Sequence, residues 1–312
     1  MKKYLYILLM IYLFHLNLPA QQMAEHNLYY YNLSLINPAA TGYLPCKQFT
    51  LTDRHQWLGI KGAPSIQSFG VQLPRALDLY RSYGLGVNLV RDDNGATQNL
   101  GGEIQYAYHI TLNTNNPAHL GFGLSAKFGQ YSFDESGFNP DLPDPIVTYG
   151  RLVEWYYNFA TGVFLYSDNY YAGVGVYNLY PMQSTLYDSY GNTGFFTTVI
   201  AGYKFSRPRR YRFTIDPSIY FAYGADIYQV DLGTKLFFEN GICTGIFFRK
   251  YMGDFYSPGQ NILLFFGYQF SNWNIGYTYD LGINQLQKQH FGSHQLSLTY
   301  TICREKYSCP AY

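Results

Sequence analysis

The sequence is poor in charge and in cysteine, and past its first twenty residues it has no long apolar run. Asp, Glu, Lys and Arg make up 13% of its 312 residues, about half the share usual in soluble domains. The balance is near neutral at +1, and the basic residues form no stripe. Their one cluster is Arg207-Pro208-Arg209-Arg210. A nucleic-acid partner is therefore not expected, because that function needs a concentrated basic face. Beyond the first twenty residues the longest apolar run is Ile262–Phe266. A spanning helix needs about 20 apolar residues, and the mean hydropathy is only −0.17, so a helical membrane protein is excluded. The sequence also lacks a GxSxG elbow, an HExxH, a P-loop and a Cys-x-x-Cys. Its four cysteines, at 46, 243, 303 and 309, do not have zinc-site spacing.

Aromatic residues and glycine are abundant. Aromatics are 20% of the chain, with 35 Tyr and 23 Phe, and there are 30 Gly. These residues alternate with polar ones at period two. In 119–128, Leu120, Phe122, Leu124, Ala126 and Phe128 alternate with His119, Gly121, Gly123, Ser125 and Lys127. The stretches 97–112, 272–280 and 294–302 behave alike. One face of each strand is greasy. The other carries Glu103, Lys127, Arg212, Asp216, Asp231, Lys235 and Asp280, charges suited to a wet lumen. The pattern predicts an all-β fold, an antiparallel outer-membrane β-barrel of about 14 strands with short periplasmic turns and longer extracellular loops. The expected strands are 48–58, 65–74, 82–91, 97–112, 118–132, 153–167, 169–178, 194–206, 210–222, 226–239, 242–251, 259–270, 272–281 and 293–304. Between the late strands, short connections at Asp168, Arg207–Arg209, Asn240-Gly241 and Ser271 alternate with longer ones at 133–152, 179–193, 252–258 and 282–292.

Residues 1–20 read as a signal peptide: Lys2-Lys3, an apolar stretch to Leu18, then a cleavage site near Ala20. The mature chain is thus expected in an oxidising space. Residues 21–47 read as a plug-like periplasmic segment, 48–304 as the barrel and 305–312 as a tail. The plug-like segment is expected to narrow the periplasmic mouth, with Asn37-Pro38 to Gly42 a stiff turn at the barrel's base. The first and last strands of a closed barrel are neighbours, so Cys46 is placed to bond Cys303 or Cys309.

Three local groupings carry candidate chemistry. Asp53-Arg54-His55 resembles a catalytic set. On a strand, however, Asp53 and His55 share one face while Arg54 shares the other with Gln56, and no third group stands at a defined spacing. Glu135, Asp141 and Asp144 cluster in a proline-rich connection without an EF-hand spacing, which favours a solvated loop. Trp155-Tyr156-Tyr157 and Tyr170-Tyr171 suit an interfacial aromatic girdle better than a sugar platform. No catalytic residue, cofactor or metal ligand is assigned.

Several phrases, in order, are similar to one family. They are Asn37-Pro38-Ala39-Ala40-Thr41-Gly42, Arg54-x-Gln56-Trp57-x-Gly59 and Gly62-Ala63-Pro64, followed by Tyr83-Gly84-Leu85-Gly86-Val87, Gln105-Tyr106-Ala107-Tyr108 and Gly121–Ser125. Tyr170–Gly173, Asp216-Pro217-Ser218, Gly276–Asp280 and Gly292-Ser293-His294 complete the series. The chain resembles the PorP/SprF outer-membrane proteins of the type IX secretion system of Bacteroidota over about residues 28–302. Thr41 and Gln295 depart from the usual residues, and no appended peptidoglycan-binding domain is expected. The resemblance implies a non-enzymatic barrel in outer-membrane lipid. Such a barrel assists secretion or surface anchoring of a large adhesin-like protein through that protein's C-terminal sorting domain. Other secretion components and gliding motility are implied with it. Asn37, Pro38, Gly42, Arg54, Gln56, Trp57, Gly59, Gly62, Pro64, Asp280 and His294 are the implied docking or motif residues. The competing reading is a passive channel, since about 14 strands enclose room for water.

Overall fold

Alternation at period two builds one sheet closed on itself. In this computed structural model the described residues are 29, 32–113, 117–136, 150–180, 194–206, 213–224, 227–253, 259–283 and 291–303. The strands are β1 (Cys46–His55), β2 (Ser65–Ala76), β3 (Arg81–Asn94), β4 (Thr97–Asn113), β5 (Ala118–Asp134), β6 (Arg151–Ser167), β7 (Tyr170–Tyr177) and β8 (Phe196–Tyr203). They continue with β9 (Phe205–Ser206), β10 (Phe213–Gly224), β11 (Ile227–Phe238), β12 (Ile242–Gly253), β13 (Gln260–Phe270), β14 (Trp273–Gly282) and β15 (Ser293–Cys303). β8 and β9 both pair with β10 and are one stave interrupted at Lys204. The barrel therefore has 14 antiparallel staves. Every neighbour in sequence is a neighbour in space, and β1 pairs with β15 along its whole length to close the ring.

All 14 expected strands are present, with shifted ends. β1 was expected to run to 58 and stops at His55. Gln56 N donates to Pro64 O at 2.8 Å, and Trp57 turns the chain with φ +45°. The barrel begins at Cys46 rather than 48, because Cys46 and Lys47 already pair with Cys303 and Ile302.

Outward positions are apolar and exposed: Leu51, Phe69, Leu89, Ile104, Leu124 and Leu296 are among them. Such a band meets lipid without leaving backbone groups unpaired, because closure removes the sheet edges. Inward positions on β1 are Gln48, Thr50, Thr52 and Arg54, all buried. Connections at the Cys46 end are short, as at 168–169, 239–241 and 271–272, whereas the long ones lie opposite. By the outer-membrane rule the Cys46 end is periplasmic.

The buried core lies inside the ring. A strap comprising Tyr29 and residues 32–45 enters the lumen and is almost wholly buried. Among its described residues, 3-10 turns run over Leu33–Leu35 and Pro38–Ala40. The signal peptide and the 305–312 tail expected from the sequence lie outside the described residues.

Candidate functional site

The strap is amphipathic and meets two unlike walls. On one side Leu33, Ile36, Ala39 and Ala40 cluster with Phe164, Tyr171, Ile200, Phe247 and Leu263. On the other, polar strap atoms bond to β2, β3 and β4. Asn32 Nδ2 donates to Asn88 Oδ1 at 3.1 Å, Asn88 Nδ2 to Ser34 Oγ at 3.2 Å, and Ser34 Oγ to Asn32 Oδ1 at 2.7 Å, which closes a ring. Gln72 Nε2 donates to Asn32 Oδ1 at 3.0 Å and Gln105 Nε2 to Ser34 O at 2.7 Å.

The Asn37–Gly42 turn sits within the lumen's periplasmic half, not beneath the barrel. Asn37 is in the extended region and caps the turn, its Oδ1 accepting from Ala39 N at 2.9 Å. Pro38 then supplies the fixed φ of a first helical position. Asn37 Nδ2 donates to Val163 O at 3.0 Å, tying the cap to the wall. Thr41 Oγ1 donates to Gln105 Oε1 at 2.8 Å, and His109 Nε2 donates to Thr41 O at 2.9 Å. Gly42 N donates to Gln72 Oε1 at 2.9 Å. Gly42 needs its left-handed φ of +68° and lies against Gly84; a Cβ on Gly123 would collide with Pro38 and Ala39. The wall is glycine where the strap's backbone presses on it.

The strap climbs from Gly42 to Tyr29 in the extracellular half. The Tyr29 ring lies tilted against Tyr220 with centroids 4.6 Å apart, and its hydroxyl donates to Asp231 Oδ2 at 3.4 Å. Asp231 also accepts both arms of Arg249, at 2.7 and 2.6 Å, and neither side chain is exposed. Lys235–Asp216 at 3.8 Å and Arg54–Asp280 at 3.5 Å are further buried lumen pairs. Leu33, Tyr43, Phe164, Tyr166, Tyr171, Lys204 and Asp216 help line a cavity of about 20 Å³ beside the strap. That is room for a water molecule, not for an organic ligand.

Two sequence phrases thus meet in the lumen, since Arg54 and Asp280 are paired across β1 and β14. The remaining motif residues do not join them. Gln56, Trp57, Gly59, Gly62 and Pro64 form the extracellular β1–β2 connection. His294 faces outward, its Nδ1 bonded to the Tyr277 hydroxyl at 2.7 Å. Cys46 and Cys303 form a disulfide at the periplasmic seam, whereas Cys309 lies outside the described residues. Asp53 and His55 hold each other at 3.1 Å on the outer face. The Asp53 bond occupies the Nε2 that would serve a nucleophile, and Arg54 points the other way. Among the described residues no His, Cys, Asp and Glu group could hold a metal. Asp141 and Asp144 lie outside them.

Sequence reasoning quoted Gln105 within a family phrase but did not single out the strap's other side-chain hydrogen-bond partners, Gln72, Asn88, His109 and Thr198. A signal for them was present. Gly84/Gly86, Gly121/Gly123 and Gly173/Gly175 repeat at period two on the inward face, where close backbone approach removes side chains.

The family model described as "Type IX secretion system membrane protein PorP/SprF" matches residues 18–300. The chain belongs to this family. No curated protein matches it. Among solved structures, the CymD monoaromatic hydrocarbon channel is similar at 12% identity and TM-score 0.55, covering 86% of this chain and 91% of that one. A Pseudomonas aeruginosa FadL homologue gives 10% identity and TM-score 0.48, covering 85% and 92%. At such identities the likeness concerns the barrel fold alone. Fold and family together make this PorP/SprF protein an outer-membrane barrel of type IX secretion.

Proposed function

We propose that this PorP/SprF barrel is a non-enzymatic anchor that assists secretion or surface display of a large type IX substrate. The substrate is adhesin-like, engaged through its C-terminal sorting domain, and in a gliding cell its display serves motility. Outer-membrane lipid holds the barrel, and other secretion components are its neighbours. The observation that carries the reading, beside family membership, is the occupied lumen. A strap fastened by side chains from β2, β3, β4 and β8 suits a scaffold better than an open conduit. Deleting the gene and quantifying surface-exposed secreted proteins tests it. Loss of one or a few of them is expected, and unchanged display of all would refute the anchor. The channel reading draws on the polar lumen wall, and bilayer conductance of the purified protein separates the two.

A further inference from the structure

Outward residues on β3 mark both edges of the hydrocarbon. Between the charged Arg81 and Arg91 they are Tyr83, Leu85, Val87 and Leu89. Ten residues at about 3.3 Å each, on a stave tilted by about 40°, rise about 25 Å, which is the height of the apolar band of an outer-membrane barrel. Arg91 therefore stands where the headgroups of the outer leaflet begin. The wall continues above it. β4, β5 and β6 have 17 residues each against 8 in β7, and β6 begins at Arg151 although its ladder to β7 begins at Thr161. On β14 and β15 the outward face stays apolar through Tyr277 and Leu296, so the charge belongs to one sector of the barrel and not to a belt around it.

Different chemistries are stacked on the outward face of β3–β6. The register puts Leu89, Phe128 and Tyr157 in one apolar row, with Arg91, Leu100, Gln130 and Trp155 in a row nearer the extracellular end. Leu100 is 53% exposed, Phe128 57% and Trp155 71%. Beyond them Asp93, Gln98 and Ser132 form a polar row. Side chains tie four staves together there. Arg91 Nε donates to Asp93 Oδ2 at 2.8 Å and Gln98 Nε2 to Asp93 Oδ1 at 2.6 Å. Arg151 Nη2 donates to Gln98 Oε1 at 2.7 Å and to Ser132 Oγ at 2.9 Å. Both arginines are exposed. Among the described residues Arg91 is hydrogen-bonded through Nε alone and Arg151 through Nη2 alone, so each fork keeps N–H groups to offer outward. The carboxylates of the sector are already engaged: Asp53 by Gln67 and His55, Asp93 by Arg91 and Gln98, and Asp134 by Ser136 N.

We propose that this sector binds a phosphorylated glycolipid of the outer leaflet, of the lipid A class. Arg91 and Arg151 donate to its phosphate groups, Gln130 and Trp155 lie along its saccharide, and Leu100 and Phe128 meet the first methylenes of its acyl chains. The inference draws only on the barrel's place in the outer membrane and is independent of the anchor reading. Depth decides the occupant, because an outward face at the top of the hydrocarbon is covered by lipid headgroups. Chemistry decides the kind of headgroup. A guanidinium fork suits phosphate oxygens, amide side chains suit sugar hydroxyls, and an exposed Trp at this depth is at home where one side is apolar and the other wet. The bonds from Asp93, Gln98 and Ser132 hold the two forks in place, which lowers the ordering cost of binding.

The test uses the purified full-length barrel in detergent, with heat-modifiable migration reporting that each variant has folded. The probes are lipid A from the cell's own outer membrane, the same lipid A after dephosphorylation, and inorganic phosphate. Binding is read by native mass spectrometry and by the shift of the unfolding midpoint. Phosphorylated lipid A should bind at least tenfold more tightly than the dephosphorylated form, and Arg91→Gln with Arg151→Gln should abolish that preference. Lys250→Gln, at the outward extracellular end of β12 across the barrel, is the control and should leave it intact. Equal binding of the two lipids to the unaltered protein overturns the site without recourse to any variant. A folded double variant that keeps the tenfold preference overturns it as well. An equal loss in Lys250→Gln assigns the binding to general surface charge, and inorganic phosphate that displaces the lipid at equal concentration assigns it to a free anion; either result overturns the proposal. A double variant that still binds lipid A but no longer co-purifies with a secreted protein gives the sector to that partner, and the lipid assignment falls.

Discussion

Asn37 shows what a single residue contributes here. Its carboxamide satisfies Ala39 N and donates to Val163 O, and the residue is 1% exposed. Asn37→Ala leaves the buried Ala39 N without its bond, a loss of about 1–3 kcal/mol, and removes the part-buried bond to Val163 O as well. A lower denaturant midpoint is expected, with the barrel still able to form, because no ladder bond is touched. Partner display should fall only if the turn also serves docking, so measuring both separates architecture from recognition. Arg249 behaves differently. It and Asp231 are both without exposure, so Arg249→Met strands a buried carboxylate at a cost of about 3–5 kcal/mol. Adding Asp231→Leu should recover much of that loss in the same unfolding experiment. If the double variant is no more stable than the single, the pair is not the source of the effect.

Among the elements, the β1–β15 seam combines a full ladder with a covalent bond. Cys46 and Cys303 are 257 residues apart in sequence. In the chain-entropy view, closing so long a loop contributes up to about 5 kcal/mol. Reductant should therefore lower the unfolding midpoint, and Cys46→Ser with Cys303→Ser should reproduce the effect and abolish the response. The folded barrel should persist, since β1 keeps its ladder to β15. The staves themselves were legible because each needs only a local period of two. Ends were less so. β1 stops at His55 because Gln56 turns to bond Pro64, a contact local periodicity does not encode. The aromatic inner wall was also hidden. Phe164, Tyr171 and Phe247 occupy inward positions that the pattern reserves for polar groups, and they do so because Leu33 and Ile36 of the strap arrive from far off in sequence. The depth of the Asn37–Gly42 turn was missed for the same reason. A stiff turn was evident, whereas its seat among inward glycines depends on the closed ring.

For the whole molecule the decisive question is whether the lumen conducts. The strap crosses from the seam at Cys46 to Tyr29 in the extracellular half, with an apolar side against one wall and a hydrogen-bonded side against the other. A 14-stave ring without it would enclose a water-filled bore with one apolar and one polar wall. Deleting residues 24–44 should raise single-channel conductance from near baseline to clear open steps, provided heat-modifiable migration confirms the barrel. Gly123→Val approaches the same point without shortening the chain. Its side chain displaces Pro38 and Ala39, so it should give partial or flickering openings together with a lower unfolding midpoint. If the intact protein already conducts steadily and the deletion adds nothing, the strap is no barrier and the channel reading gains over the anchor. If the deletion opens the barrel and the intact protein stays closed, the lumen is sealed by the chain's own N-terminal segment. Any work done on a secreted partner must then take place at the barrel's rim rather than through its bore.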